Sequence, residues 1–213
     1  MGPRDKRGDD RWAGMEIRAN DLHCERGGRT VFRNCGFALR AGELLQLTGP
    51  NGSGKSSLLR LIAGLNEAAE GTLALTGGEP ELTIGQQAHL IAHQEAVKAA
   101  LTVIENLAFW RGFLGGGNVE EALAAFALTR LAHYPAGLLS AGQKRRVALA
   151  RLVLVPRALW LLDEPTVGLD AASQHALKLT MENQLASGGM IIAATHVPLG
   201  LEPQHHLDLG AAP

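Results

Sequence analysis

The chain is 213 residues long, with 20 Lys and Arg against 21 Asp and Glu, a net charge of −1 and 19% charged residues. That length supports one substantial hydrophobic core with room for an inserted subdomain, but not two independent domains. Near-neutral charge excludes a globally basic nucleic-acid binder or a binder of anionic membrane surfaces, so any anion site is local.

In chain order, the opening "MGPRDKRGDDRWAG" is rich in charge, Gly and Pro and lacks the apolar stretch of an export signal. It reads as a disordered tail over 1–14, followed by a single folded domain over 15–213 with the cytoplasm as its default location. "MEIRANDLHC" and "TVFRNCGFAL" read as strands around the turn-rich "ERGGR". Cys24 and Cys35 fall in these strands without metal-ligand or redox spacing, as reduced core thiols. In "GELLQLTGPNGSGKSSLLRLIAGL", Leu44, Leu45 and Leu47 predict a strand and a Gly-rich turn follows. Leu58, Leu59, Leu61 and Ile62 then recur at helical spacing until Gly64 stops the helix.

From Gln94 to Leu139 the pattern changes, with "TVIENLAFWRGFL" and "VEEALAAFALTRLA" carrying helical periodicity around the break "GGGN". This predicts a helical subdomain over 94–139, inserted between core segments 15–93 and 140–213. Within it Phe109 and Phe113, an i, i+4 pair, are expected in the insert's small core. Trp110, beside Arg111, is expected on a flank that meets solvent or docks a partner. "ALWLLDE" and "GMIIAATH" are apolar runs of strands buried on both faces, which implies a parallel sheet covered by helices. The strongest apolar run, "VLVPRALWLL", is too short to span a bilayer and is broken by Pro156 and Arg157.

Two segments are built to meet phosphate. "GPNGSGKS" (Gly49, Pro50, Asn51, Gly52, Ser53, Gly54, Lys55, Ser56) fits the phosphate-loop pattern at every fixed position, with the strand and helix flanks that pattern needs. Its glycines let backbone N–H groups curl around phosphates, Lys55 brings positive charge to the β/γ oxygens, and the Ser56 hydroxyl can ligate Mg2+. Some 90 residues later Ser140 and Gly142 sit in a turn that opens a helix, whose free N–H groups and dipole also favour an anion. "LLDEP" places Asp163 and Glu164 at the carboxyl end of a buried strand, where open α/β sheets hold ligands. There Asp163 suits the Mg2+ shell and Glu164 the polarisation of the attacking water. His196 directly follows the strand "MIIAAT" and should reach the same edge as a γ-phosphate sensor; the other seven histidines, His93 included, read as structural, and His205 and His206 as a solvated tail. Gln94 stands where core turns into insert, placed to contact metal or water and to report that contact to the insert.

With phosphate loop, "LSAGQ", "LLDEP", "GLD" and His196 in this order, the sequence resembles the ATP-binding subunits of ABC transporters over nearly its whole length. The resemblance implies an α/β fold: a P-loop NTPase (RecA-like) core of ABC ATPase type with an antiparallel β portion and an inserted helical subdomain. It implies ATP and Mg2+ as ligands and Mg-dependent ATP hydrolysis. It also implies a head-to-tail homodimer in the ATP state, in which the signature Ser140, Ala141, Gly142 and Gln143 of one subunit closes over ATP on the other's phosphate loop. Carried over in the same way, Lys55, Ser56 and Ser57 match the phosphate and Mg2+ contacts, Gln94 and Asp163 the metal shell, Glu164 the catalytic base, Asp170 the D-loop and His196 the switch histidine. Two positions depart from the family pattern. Ala141 replaces a more usual glycine, and about 23 residues before Gly49, where an adenine-stacking aromatic is common, the chain has Arg26.

"GPNGSGKSSLLRLIAGL", "HQEAVKAALTVIENLAFW" and "LSAGQKRRVALARL", together with the non-aromatic "CERGGR", resemble one branch, the CcmA family of the bacterial haem export and cytochrome c maturation system. That resemblance implies integral membrane permease partners, a place at the cytoplasmic face of the inner membrane, no nucleic acid, and an indirect haem-pathway partner: a periplasmic chaperone whose release is linked to hydrolysis. The alternative is the ATPase subunit of another ABC importer or exporter.

Overall fold

The computed structural model describes residues 11–210. In chain order its elements are β1 (Glu16–Arg26), β2 (Arg29–Arg40), β3 (Leu44–Thr48), α1 (Lys55–Ile62), β4 (Glu70–Thr76), β5 (Ala88–Ile91), α2 (Val103–Leu114), α3 (Val119–Ala125), α4 (Ala141–Leu154), β6 (Leu159–Asp163), α5 (Ala171–Ala186), β7 (Met190–Ala194) and β8 (His205–Asp208). Two sheets result: an antiparallel one in the order β2-β1-β4 and a parallel one in the order β5-β6-β7-β3-β8. Every residue of β6 and β7 is buried, which explains their unbroken apolar composition.

Alternation along the parallel strands divides the core in two. Leu44, Trp160, Leu162, Ile191 and Ala193 pack with α2 to α5, whereas Leu45, Leu47, Leu159, Leu161, Ile192 and Ala194 pack with α1 and the antiparallel sheet. The carboxyl ends of β3, β6 and β7 therefore lie side by side, with helical and sheet layers bracing them from both faces. Cys24 and Cys35 are free and buried, and burial pushes the Cys35 thiol up to about 11, far from reactive thiolate.

Three sequence expectations change. Residues 1–10 of the expected tail lie outside the described residues, but 11–14 form a turn: Met15 N donates to Trp12 O at 3.1 Å, and the half-buried Trp12 packs against the core. Trp12 has apolar area to bury, and that outweighs the polar composition around it. His205 and His206 are not a solvated tail; they form β8, paired in parallel with β3, and His205 Nε2 lies 3.0 Å from Glu43 Oε2. Only a distant partner strand makes this segment extended, so no local pattern announces it.

The third change reverses the aromatics of α2. Its core-facing stripe runs through the buried Val103, Asn106 and Leu107 to the half-buried Trp110, and the polar Asn106 hides the i, i+3, i+4, i+7 pattern. Asn106 is buried because it holds the preceding loop, accepting from Lys98 N at 2.8 Å and donating to Lys98 O and Thr102 O. Trp110 packs on the core under the Arg151 guanidinium, 4.3 Å from the ring centroid. Phe109 and Phe113 are instead 42% and 73% exposed. We therefore expect Trp110→Ala to cost about 2 kcal/mol and several degrees of Tm, whereas Phe113→Ala leaves Tm within about a degree; thermal denaturation of the purified chain checks both.

Candidate active site

Gly49 to Gly54 carry the chain from β3 to α1. Gly49, Gly52 and Gly54 have φ of 128°, 86° and 100°, a left-handed backbone that bends the loop back over the helix start. A Cβ at Gly49 would lie 2.8 Å from Ser53 Oγ and 2.9 Å from Gly210 N, and one at Gly54 would lie 2.7 Å from Val31 Cγ1. The loop is thus wedged between the β1–β2 hairpin and the chain that leaves β8. Helix α1 has neither a side-chain cap nor an acidic residue in its first turn. Among the described residues the N–H groups of Lys55, Ser56 and Ser57 find no backbone acceptor, so this helix end faces an anion site with its donors free. Lys55 is only 8% exposed, and its Nζ donates to Gly49 O at 2.6 Å and Pro50 O at 3.0 Å.

A cavity of about 460 Å³ opens over this loop. Asn51, Gly52 and Gly54 to Ser57 line it from the loop, Arg26 and Val31 from the hairpin, and His93, Asp163 and Glu164 from the ends of β5 and β6. Asp163 is 5% exposed at the last position of β6, and among the described residues its carboxylate has no ion-pair partner. A buried carboxylate with no direct ion-pair partner keeps acceptor capacity that a cation beside Ser56 would use.

Glu164 has φ 46°, a left-handed conformation that costs a non-glycine residue about 1–3 kcal/mol. Its N–H donates to Ala194 O of β7 at 2.8 Å. Its carbonyl is held by Arg145, a residue of α4 that is 3% exposed: Nη2 donates to Asp163 O at 2.7 Å and Glu164 O at 2.8 Å, Nη1 to Ala92 O at 2.8 Å, and Nε to Pro165 O at 3.4 Å. Burial pulls the Arg145 pKa below the usual arginine value, against the pull of Glu95, Asp163 and Glu164. Sequence reasoning missed this residue. Its signal was an arginine on the apolar face of a helix, one turn before Ala148 and Leu149 and two before Leu152.

The remaining expected residues lie outside this cavity. Gln94 lines a neighbouring cavity of about 390 Å³ with His93, Arg145 and Glu164, and also the groove between α2 and the core. Ser140 caps α4: Gln143 N donates to its Oγ at 3.2 Å while its own N–H donates to Gln143 Oε1 at 2.8 Å, a reciprocal capping box. A Cβ on Gly142 would sit 2.5 Å from Gly168 O, so this glycine is required by close approach, whereas Ala141 is exposed and its extra methyl meets solvent. Asp170 caps α5 by accepting from Ser173 N at 2.8 Å, and these Ser173 hydrogen bonds hold its carboxyl below the usual range. His196 follows Thr195 at the end of β7, exposed and off the cavity wall. His93, which sequence reasoning classed as structural, is on that wall. The chain itself therefore gathers the phosphate loop, Asp163 and Glu164, and leaves the signature turn facing outward.

This fold and loop define a P-loop NTPase. The family model described as ABC transporter matches residues 32–167. The chain is 53% identical over 200 residues to the cytochrome c biogenesis ATP-binding export protein CcmA of Nitrobacter winogradskyi, covering 93% of this chain and 100% of that protein. It is also 53% identical over 191 residues to the CcmA protein of Mesorhizobium japonicum, covering 88% and 95%. A solved structure of the ATP-binding subunit of an ABC transporter superposes with TM-score 0.81 at 27% identity over 91% of this chain and 86% of that one. A dimeric ATP-binding cassette in a post-hydrolysis state, bound to ADP and phosphate, shares the fold with TM-score 0.72 at 23% identity, covering 85% and 88%. The chain belongs to the ABC transporter ATP-binding family and, within it, to the CcmA branch.

Proposed function

We propose that this chain is the ATP-binding and hydrolysing subunit of an ABC transporter complex of cytochrome c maturation, in which hydrolysis drives release of a haem-loaded periplasmic chaperone. The observation that carries the ATPase reading is the single cavity in which an uncapped helix end, Lys55 and two strand-end carboxylates meet. Asp163, Ser56 and Gln94 would hold Mg2+, whose charge stabilises the β- and γ-phosphate oxygens. The N–H groups of Gly52 and Gly54 to Ser57 hold the phosphates, and Lys55 turns its ammonium from the Gly49 and Pro50 carbonyls to the β/γ oxygens. Glu164 orients the water in line with the γ-phosphorus and takes up its proton.

The outward position of Ser140 to Gln143 fits a head-to-tail homodimer in which the turn of one subunit supplies N–H donors to the γ-phosphate held by the other. Asp170 and His196, both exposed beside that turn or at the sheet edge, then complete the site across the dimer interface. No helix among the described residues is long and apolar enough to cross a membrane, so the chain would work peripherally, on the cytoplasmic face of the inner membrane beneath permease subunits. The groove of about 620 Å³ between α2 and the core suits a cytoplasmic helix of such a subunit, because Phe113, Leu65 and Leu82 expose apolar surface around it and Gln94 links its wall to that of Glu164. Trp110, partly buried against the core, lines the same groove, and Phe113 stands more exposed at it.

Affinity purification of the tagged chain from membranes tests this reading. Recovery of integral membrane subunits together with haem, and failure of c-type cytochromes to mature when the chain is inactive, are expected. Membrane partners with normal cytochrome maturation would favour another importer or exporter. Phe113→Ala should reduce recovery of those partners at unchanged Tm; full recovery would take the groove out of the interface.

Nucleobase selectivity is expected to be loose. With Asp163 and Glu164 at the γ-phosphate end, the base is left to Arg26 and Val31, and a guanidinium stack supplies about 0.5–2 kcal/mol largely irrespective of the base. GTP should inhibit ATP turnover with an apparent affinity within about tenfold of that of ATP. A much larger ATP preference that survives Arg26→Ala would mean that the base is read elsewhere.

A further inference from the structure

We infer that Arg145 is a positioning residue for hydrolysis, holding the backbone that presents Glu164. This rests on the role proposed above for Glu164. The Asp163 carbonyl belongs to the peptide plane before the Glu164 Cα, and the Glu164 carbonyl to the plane after it. Because each peptide is planar, fixing both planes fixes φ and ψ at that Cα, and with them the direction in which the carboxylate leaves the chain. One nitrogen, Nη2 of Arg145, bonds both carbonyls at 2.7 and 2.8 Å.

That clamp acts where it is needed, on a non-glycine residue at φ 46° that would otherwise relax toward an ordinary conformation. The second arm of the fork, Nη1, bonds Ala92 O two residues before Gln94, so the same guanidinium aligns the segment that lines the neighbouring cavity. A planar fork with divergent donors can serve both directions at once, which a lysine ammonium cannot. Arg145 also stands one turn inside α4 from the signature turn. The clamp therefore joins the helix that addresses the second subunit's nucleotide to the carboxylate of its own chain.

The test is a double-mutant cycle on the full chain: Arg145→Lys, Glu164→Gln and both together, with kcat, KM, Tm and the number of MgATP molecules bound per chain measured for each. With Glu164 present, Arg145→Lys should lower kcat tenfold or more, change KM less than threefold and keep one nucleotide per chain. With Gln at 164, the same substitution should change residual turnover less than twofold, since the group it positions is gone. Equal losses in both backgrounds, or an unchanged kcat, would overturn the inference. Arg145→Gln guards against a folding artefact; if both Arg145 variants lose nucleotide stoichiometry, the residue serves the fold alone and the inference fails. Parental turnover in Glu164→Gln by itself would instead remove the role proposed for Glu164.

Discussion

Glu164→Gln should leave MgATP bound and lower kcat by about 10²–10⁴-fold, the range that a positioned general base contributes. Glutamine keeps the size and hydrogen-bonding reach of glutamate but cannot take a proton from water. The substituted side chain would leave the loop untouched, since it is the backbone of residue 164, bonded to Ala194 and Arg145, that fits the fold. With the phosphate contacts intact and hydrolysis stopped, ATP should accumulate at the head-to-tail interface and trap the dimer. Size-exclusion runs with and without MgATP, beside a phosphate-release assay, measure both effects. A variant that hydrolyses at the parental rate removes Glu164 from its role, and one that stops hydrolysing but stays monomeric argues against the dimer.

Lys55→Ala should act one step earlier, on binding. A charge-assisted hydrogen bond contributes about 1.5–3 kcal/mol, so ATP affinity should fall roughly 10- to 150-fold. The substitution also removes the two bonds by which Nζ closes the loop on Gly49 and Pro50, which leaves the loop less ordered before nucleotide arrives. Equilibrium binding of a fluorescent ATP analogue measures the loss. ADP should lose less than ATP, because in the proposed site the ammonium would bridge the β and γ oxygens and ADP lacks the second. Equal losses for the two nucleotides would place Lys55 on the loop's conformation and not on the γ-phosphate.

Sequence by itself determined the parts of this protein whose physics is local. A phosphate loop needs glycines, a lysine and a hydroxyl at set intervals between a strand and a helix, and "GPNGSGKS" carries all of them in consecutive positions. The buried strands β6 and β7 were legible because a strand covered on both faces must be apolar throughout, and Asp163 and Glu164 were then conspicuous as acids ending one of them. The signature helix announced its own start, since a capping box lies within four residues.

Tertiary structure alone decided whatever depends on a distant partner. Strand β8 exists because β3 offers it an open edge, and its half-exposed "HHLD" has no hydrophobic pattern of its own. Trp110 packs against the core, and Phe113 is exposed, because the core-facing stripe of α2 passes through a polar Asn106 whose bonds to the Lys98 loop replace water. Arg145 looks in sequence like one more solvated cation in "QKRR", yet it is buried among carbonyls that arrive from the ends of β5 and β6, 18 to 53 residues away along the chain. Burying a guanidinium is tolerable only when the folded backbone supplies those acceptors, and that supply cannot be read from a helix considered alone.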